Sequence, residues 1–160
     1  MSKVYIIGLG KSGIAAAKIS QQNHHQVTIY DSSNTEELQR LKHSLERDNI
    51  TVKLGENIVV NGENNPDLII VSPGVPWDIP VLQQAREKGI KTIGEMELAW
   101  QYLQQYPWIG VTGTNGKTTT TALIEAMLKT EGIKTSACGN IGYAACELAL
   151  QAIDNPTDWL

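Results

Sequence analysis

The segment from Val111 to Thr119 carries glycines, a lysine and threonines in an order suited to binding phosphate. Gly113 and Gly116 permit the tight backbone curl that turns successive amide N–H groups toward one point. A helix beginning at Lys117 would add the positive end of its dipole there. The side chain of Lys117 can reach the β and γ phosphates, and the hydroxyl of Thr118 suits a magnesium ion. The segment therefore predicts a nucleotide phosphate-binding loop in an ATP-using protein.

The match to the general G-x-x-x-x-G-K-[ST] pattern is displaced at its first glycine, because Val111 stands there and Gly110 comes one place early. The alternative is a turn that only caps the following helix, with Lys117 in solvent. A capping turn does not need these residue types in this order, so we favour phosphate binding. The predicted ATP-binding residues are Gly113, Thr114, Asn115, Gly116, Lys117, Thr118 and Thr119.

A second glycine-rich motif, Gly8-Leu-Gly-Lys-Ser-Gly13, follows the first predicted strand and opens the first predicted helix. Asp31 ends the next predicted strand. In a dinucleotide-binding unit such glycines allow a tight turn, backbone access to a diphosphate and close helix packing, while the acid accepts hydrogen bonds from ribose or base. We therefore predict a diphosphate-containing ligand here. The alternative is a glycine turn used only for packing.

The segment from Ser72 to Pro76 follows another predicted strand. In open α/β sheets ligands bind beyond the carboxyl ends of the strands, so Gly74 is expected to line the same crevice as the first glycine motif. A rigid Pro-Gly turn without a ligand is the alternative interpretation.

Strands alternate with helices along the chain, which indicates an α/β fold with a parallel sheet covered on both faces. The predicted strands of the first unit are 3–7, 26–30, 51–54, 68–71 and 91–93, and its predicted helices are 14–19, 35–47 and 79–88. The pattern then restarts, with predicted helices at 95–105, 117–130 and 144–152 and predicted strands at 108–111 and 134–138. We expect a Rossmann-like domain over residues 1–94. Residues 95–160 would form the first part of a P-loop ATP-binding domain, truncated where a further strand opens at 158–160.

The predicted helix behind the phosphate loop has apolar and small residues at helical spacing. We expect these residues to form one buried stripe: Ala122, Leu123, Ala126, Met127 and Thr130.

Composition excludes several classes of function. A net charge of −4 disfavours nucleic-acid binding, and no apolar run approaches the roughly 18 residues that would span a bilayer. We therefore expect a cytoplasmic protein. Cys138 and Cys146 are interpreted as reduced packing residues, and His24, His25 and His43 as solvated side chains.

With two glycine motifs on one chain, the sequence resembles the Mur ligase family over its whole length. The resemblance rests on Gly8-Leu-Gly-Lys-Ser-Gly13, Asp31-Ser32, Ser72-Pro-Gly74, Thr112-Gly-Thr-Asn-Gly-Lys-Thr118 and Gly139-Asn-Ile-Gly142. The Gly-Thr-Asn-Gly-Lys-Thr loop is typical of the Mur and folylpolyglutamate ligase superfamily and explains the displaced first glycine. The resemblance implies an ATP-dependent ligase of peptidoglycan precursor synthesis, with Mg²⁺ as cofactor. It would add D-glutamate to UDP-N-acetylmuramoyl-L-alanine through an acyl phosphate.

The resemblance also implies roles for single residues. The UDP end of the substrate would be held by Gly10, Lys11, Ser12, Asp31, Ser32 and Gly74. Asn140 would approach the muramoyl part. Lys117 would be catalytic, because it stabilises charge on the transferring phosphoryl group, and Thr118 would help hold the metal.

Further parts of the family's active site are expected after residue 160: a magnesium-binding glutamate, a histidine, a carbamylated lysine and a C-terminal domain. We therefore expect the 160-residue chain to be inactive in ligation. Its expected partners are small-molecule substrates, and we expect a monomer.

Three alternatives stay open at this point. An NAD(P)-dependent oxidoreductase would account for the first glycine motif but leaves the second loop unexplained. Another Mur ligase, such as the L-alanine-adding enzyme, also has an N-terminal GxGxxG. A nucleotide-binding regulatory module without chemistry is the third.

Overall fold

A computed structural model describes residues 1–62 and 64–160 of the chain. Its strands are β1 (Lys3–Ile7), β2 (Gln26–Asp31), β3 (Thr51–Leu54), β4 (Leu68–Val71) and β5 (Lys91–Gly94). Its helices are α1 (Lys11–Gln22), α2 (Glu36–Arg47), α3 (Pro80–Glu87), α4 (Glu95–Leu103), α5 (Lys117–Thr130) and α6 (Ala145–Asp154). The strands predicted for the first unit are confirmed to within one residue at each end.

These strands form one parallel sheet in the order β3-β2-β1-β4-β5. Val4 of β1 pairs with Val27 on one side and with Leu68 on the other. The order reverses beside β1, so the loops after β1 and β4 diverge and leave a crevice at the carboxyl edge. The expected Rossmann-like parallel architecture is confirmed.

Alternate side chains of β1 enter cores on opposite faces of the sheet, as strand geometry requires. Val4 and Ile6 are buried in the larger core, which also contains residues of α1, α2, α4 and α6. Tyr5 and Ile7 pack against a smaller core that includes Leu82 of α3. Helix α6 contacts both α1 and α4, so the last helix of the chain returns to the helical layer of the first sheet.

The predicted strands at 108–111 and 134–138 are wrong, because in the described part of the chain 134–138 makes only isolated bridges and 108–111 makes none. Residues 158–160 lie between them. Ile109 N donates to Leu160 O at 2.7 Å, and Thr135 forms a parallel bridge with Trp159. One or two paired residues are too few to build a ladder. Residues 158–160 thus meet both segments without forming a strand with either.

The buried stripe predicted on α5 is also wrong. Leu123 is 58% exposed and Met127 is 68% exposed. The half-buried residues of α5 are instead Thr121, Ile124, Glu125 and Leu128, and the apolar ones among them are Ile124 and Leu128. Both sides of α5 carry apolar residues at helical spacing, so the sequence pattern could not indicate which side faces inward.

Across the described residues, the helices are all too short or too polar to cross a membrane.

Candidate functional site

The first glycine turn is held by hydrogen bonds from two neighbouring strands. Gly8 N donates to Tyr30 O at 2.8 Å, and Leu9 N donates to Asp31 Oδ2 at 2.8 Å, both at the end of β2. From the end of β4, the hydroxyl of Ser72 donates to Gly8 O at 3.3 Å. The turn after β1 is therefore fixed from both sides at the carboxyl edge of the sheet.

Two glycines of this turn meet different surroundings. A Cβ atom on Gly13 would lie 1.9 Å from Gly8 O and 3.0 Å from Ser72 Oγ, so no larger residue fits where α1 passes the turn. A Cβ atom on Gly10 would meet no described atom within 4 Å. Gly13 therefore serves packing, whereas Gly10 leaves an exposed stretch of backbone that a ligand can approach.

A cavity of about 580 Å³ opens beside the turn, within the size range of small-molecule sites. Three residues predicted to hold UDP come together in its wall: Asp31, Ser32 and Gly74. Gly10, Lys11 and Ser12 lie at the start of α1, outside the described lining of this cavity. Asn140 is on a separate loop. The structure thus gathers part of the predicted UDP-binding set around one cavity.

Asp31 does more than sequence reasoning assigned to it. Its Oδ2 accepts from Leu9 N, and its Oδ1 accepts from Ser33 N at 2.9 Å. The carboxylate therefore fixes the glycine turn to the end of β2. Each carboxylate oxygen has a second lone pair, so Asp31 keeps the capacity to accept a hydrogen bond from a ligand.

Sequence reasoning assigned no role to three polar residues at this edge. Glu56 and Asn57 line the cavity from the segment after β3. Ser72 supports the glycine turn through its hydroxyl, although it was considered only as part of a motif. Their position in the sequence could have indicated them, because all three follow strands whose carboxyl ends meet at one edge of the sheet.

The second glycine loop is a turn that leads directly into α5. Gly116, the residue before the helix, has φ +77°, a left-handed conformation that glycine adopts without strain. The ammonium of Lys117 donates to the carbonyl oxygens of Gly113 and Thr114, so it lies over the loop. All seven predicted ATP-binding residues, 113–119, are exposed.

Thr118 is the one described residue that we predicted as a metal ligand. Its hydroxyl oxygen is the type of ligand that Mg²⁺ prefers, and Thr118 is exposed in the first turn of α5. The kind of donor therefore fits magnesium. Within residues 1–62 and 64–160, no group of three or more His, Cys, Asp or Glu residues is arranged to hold a metal ion.

The segment containing Asn140 forms a third exposed loop. Gly139 N donates to Tyr143 O at 3.0 Å, which closes the loop at its base. Asn140 is exposed at the tip, and α6 begins two residues after Tyr143.

A buried carboxylate lies at the start of α4, beside both cysteines. Glu95 is 2% exposed, and burial raises the pKa of its carboxyl group above the ordinary value. Burial, together with the charge of Glu95, raises the pKa of the Cys138 thiol to about 11 and that of Cys146 further. Both cysteines are free, and these shifts keep them as neutral thiols near pH 7. Sequence reasoning assigned no role to Glu95.

The strand order and the glycine turn after β1 define a protein of the Rossmann-like, doubly wound α/β class. Residues 2–94 match the family described as "Mur ligase MurD-like, N-terminal domain", and residues 111–157 match "Mur ligase middle domain". The chain belongs to the Mur ligase family.

Curated relatives match over the whole chain. It is 58% identical over 160 residues to the UDP-N-acetylmuramoylalanine--D-glutamate ligase of Gloeothece citriformis and 58% identical to that of Microcystis aeruginosa. The identity to the same ligase of Synechocystis sp. is 51%. In each case 100% of this chain aligns with 35% of the relative. The chain therefore spans about a third of the length of these relatives.

Solved structures share the fold. UDP-N-acetylmuramate-alanine ligase MurC from Thermotoga maritima superposes with a TM-score of 0.52 at 27% identity, over 84% of this chain and 30% of that one. The murein peptide ligase Mpl from Psychrobacter arcticus superposes with a TM-score of 0.53 at 20% identity, over 98% of this chain and 33% of that one. At this identity the second likeness concerns the fold alone.

Proposed function

We propose that this chain forms the UDP-binding part and the ATP phosphate-binding part of a ligase that adds D-glutamate to UDP-N-acetylmuramoyl-L-alanine. The observation that carries the proposal is the full-chain identity of 51–58% to curated ligases of that name. The two glycine turns, one at the sheet edge and one opening α5, supply separate places for a UDP diphosphate and for ATP.

The UDP end of the substrate would lie at the carboxyl edge of the sheet, in a domain proposed to span residues 1–94. Asp31, Ser32 and Gly74 supply polar and backbone groups in the cavity wall. The exposed backbone of Gly10, with Lys11 and Ser12 at the N-terminus of α1, favours an anionic diphosphate. The family assignment favours UDP over NAD(P) for this re-used dinucleotide turn.

ATP would bind at the loop of residues 113–119, in a second domain proposed to begin at residue 95. Its phosphate oxygens would replace the loop carbonyls as partners of the Lys117 ammonium. Lys117 would then neutralise charge that develops on the transferring phosphoryl group. Thr118 would contribute a hydroxyl to Mg²⁺, which supplies charge neutralisation when bound.

In the proposed reaction, the substrate carboxylate takes the γ-phosphoryl group from ATP and forms an acyl phosphate and ADP. The amine of D-glutamate then attacks the acyl carbon, and phosphate leaves from the tetrahedral intermediate. Asn140 would orient the muramoyl part. This chemistry depends mainly on positioning and charge neutralisation. We infer a cytoplasmic, monomeric protein acting on these small molecules, and we expect no phosphate release by the 160-residue chain alone.

Calorimetric titration of Lys117→Ala separates the two sites. We expect loss of ATP binding and unchanged binding of UDP-N-acetylmuramoyl-L-alanine, because Lys117 lies over the second loop only. Lys129→Ala is the matched control, since that lysine is also exposed on α5 but pairs with Glu125 in the last turns. Equal loss of both ligands in Lys117→Ala would show that the two sites are assigned wrongly.

A further inference from the structure

Glu95 is a carboxylate in an unusual place. It is the first residue of α4, directly after β5, and only 2% of it is exposed. Carboxylates are rarely this buried unless a partner compensates the loss of water. The partner here is a backbone amide of another helix, because Glu95 Oε1 accepts from Cys146 N at 2.6 Å.

That amide belongs to the first turn of α6, which needs an external acceptor. The residue before α6 is Ala144, whose methyl side chain cannot accept a hydrogen bond. Glu95 therefore caps α6 from α4, at the positive end of the α6 dipole. Cys146 Sγ donates a hydrogen bond to Glu95 O at 3.4 Å, so two hydrogen bonds join the first turns of the two helices.

The loop from Gly139 to Gly142 lies near the first turns of α4 and α6, which these two hydrogen bonds join. It leads into α6 through Tyr143, whose backbone N–H donates to Ala137 O at 3.4 Å. A Cβ atom built on Gly139 would lie 3.4 Å from Met96 Cε, so the loop passes close to the first turn of α4. The start of the loop therefore lies near Met96, and its end leads into the helix turn that Glu95 caps.

We propose that Glu95 is a positioning residue that fixes the 139–142 loop, and with it Asn140, at the end of β5. The proposal rests on the proposed function in one respect, namely that Asn140 contacts the UDP-linked substrate. A buried carboxylate is a costly way to gain stability, since apolar residues of similar volume often stabilise a core as well or better. Its use at the base of this loop is explained by the defined geometry that a directional hydrogen bond imposes.

A double-mutant cycle on binding of UDP-N-acetylmuramoyl-L-alanine tests whether Glu95 acts through Asn140. Glu95→Ala should weaken binding about fivefold to tenfold, because the loop loses its anchor. Glu95→Ala should have no further effect in the Asn140→Ala background. Additive losses would overturn the proposal, since they would mean that Glu95 affects binding by another route.

Two variants serve as comparisons. Glu95→Gln should bind within about twofold of the unmodified chain, because its amide oxygen still accepts from Cys146 N. Glu97→Gln removes a carboxylate from the same turn of α4 but from an exposed position, and it should also bind within about twofold. A tenfold loss in Glu95→Gln with Glu97→Gln unaffected would overturn the role of the acceptor oxygen.

Amide hydrogen exchange tests the positioning without any ligand. Glu95→Ala should speed exchange at Cys146 and at residues 139–143 by about tenfold or more and leave β1, β2 and β4 unchanged. If Glu95→Ala does not fold, Glu95→Asp replaces it, because the shorter side chain withdraws the acceptor and should give the same local effect. Unchanged exchange in this loop would overturn the proposal. Absence of ligand binding by the unmodified chain, with faster loop exchange in the variant, would instead reject the proposed function.

Discussion

Gly10 and Gly13 stand three positions apart in one motif, yet their surroundings differ. The same substitution to alanine should therefore have different effects on stability at the two positions. Gly13→Ala would place a Cβ atom 1.9 Å from Gly8 O, a backbone atom that cannot move without shifting the turn. We expect it to lower the free energy of unfolding by about 3 kcal/mol or more. Gly10→Ala meets open space and should change that free energy by less than about 1 kcal/mol. Urea denaturation of both variants measures the difference, and similar losses would contradict this description of the turn.

The buried carboxylate of Glu95 predicts a dependence of stability on pH. Because its pKa is raised from 4.5 in the folded chain, the folded state holds the proton more tightly than the unfolded state. The free energy of unfolding should therefore fall as the pH rises from about 4.5 through the raised pKa. The neighbouring Cys138 and Cys146 stay protonated across this range because their pKa values are raised.

Glu95→Gln should abolish that decline, because an amide does not ionise. The measurement is the free energy of unfolding by urea between pH 4 and pH 8 for the unmodified chain and the variant. We expect the variant to gain relative stability toward the higher pH. Parallel curves would show that Glu95 does not set this dependence.

At the residue scale, the sequence motifs indicated which residues lie at the cavity but not which atoms they bond to. It predicted Asp31 and Gly74 beside one crevice, and the structure places both in one cavity wall. It gave no role to Ser72 or Glu95, because their partners, Gly8 O and Cys146 N, are distant in sequence. Only the folded chain brings such partners together.

At the scale of single elements, the strands that pair over several residues were predicted correctly, whereas segments that pair at only one or two positions were not. The strands of the first sheet pair over several residues, and β1 and β2 carry apolar side chains toward a covered face. The segments around Ile109 and Thr135 are also apolar or β-branched, but they meet residues 158–160 over one or two positions. Apolar pattern alone does not reveal how far a ladder extends.

Helix α5 provides a direct test of which side faces inward. The double variant Leu123→Gln and Met127→Gln should change the free energy of unfolding of the 160-residue chain by less than about 0.5 kcal/mol, because both side chains are exposed. Leu128→Ala, on the half-buried side, should cost about 1 to 2 kcal/mol. Thermal or urea unfolding compares them. A larger loss of unfolding free energy in the double variant than in Leu128→Ala would instead support the buried stripe first predicted from the sequence.

At the scale of the whole molecule, the chain combines a sheet edge with a cavity and a separate glycine loop ahead of α5. Helices α4 and α6 join the larger core of the first sheet, and Glu95 links their first turns. The fold class followed from alternating strands and helices, and the family followed from two glycine motifs of different type. The sequence pattern did not predict that α6 would pack on α1, because that contact depends on the path of the chain after α5.

Isothermal titration calorimetry of the 160-residue chain with UDP-N-acetylmuramoyl-L-alanine, and separately with NADH, tests the central claim most directly. The claim is that the sheet edge beside Gly10, Asp31 and Gly74 binds a UDP-linked substrate. The expected result is micromolar binding of the UDP compound and no heat of binding with NADH. Micromolar binding of NADH with no response to the UDP compound would contradict the account and favour an oxidoreductase.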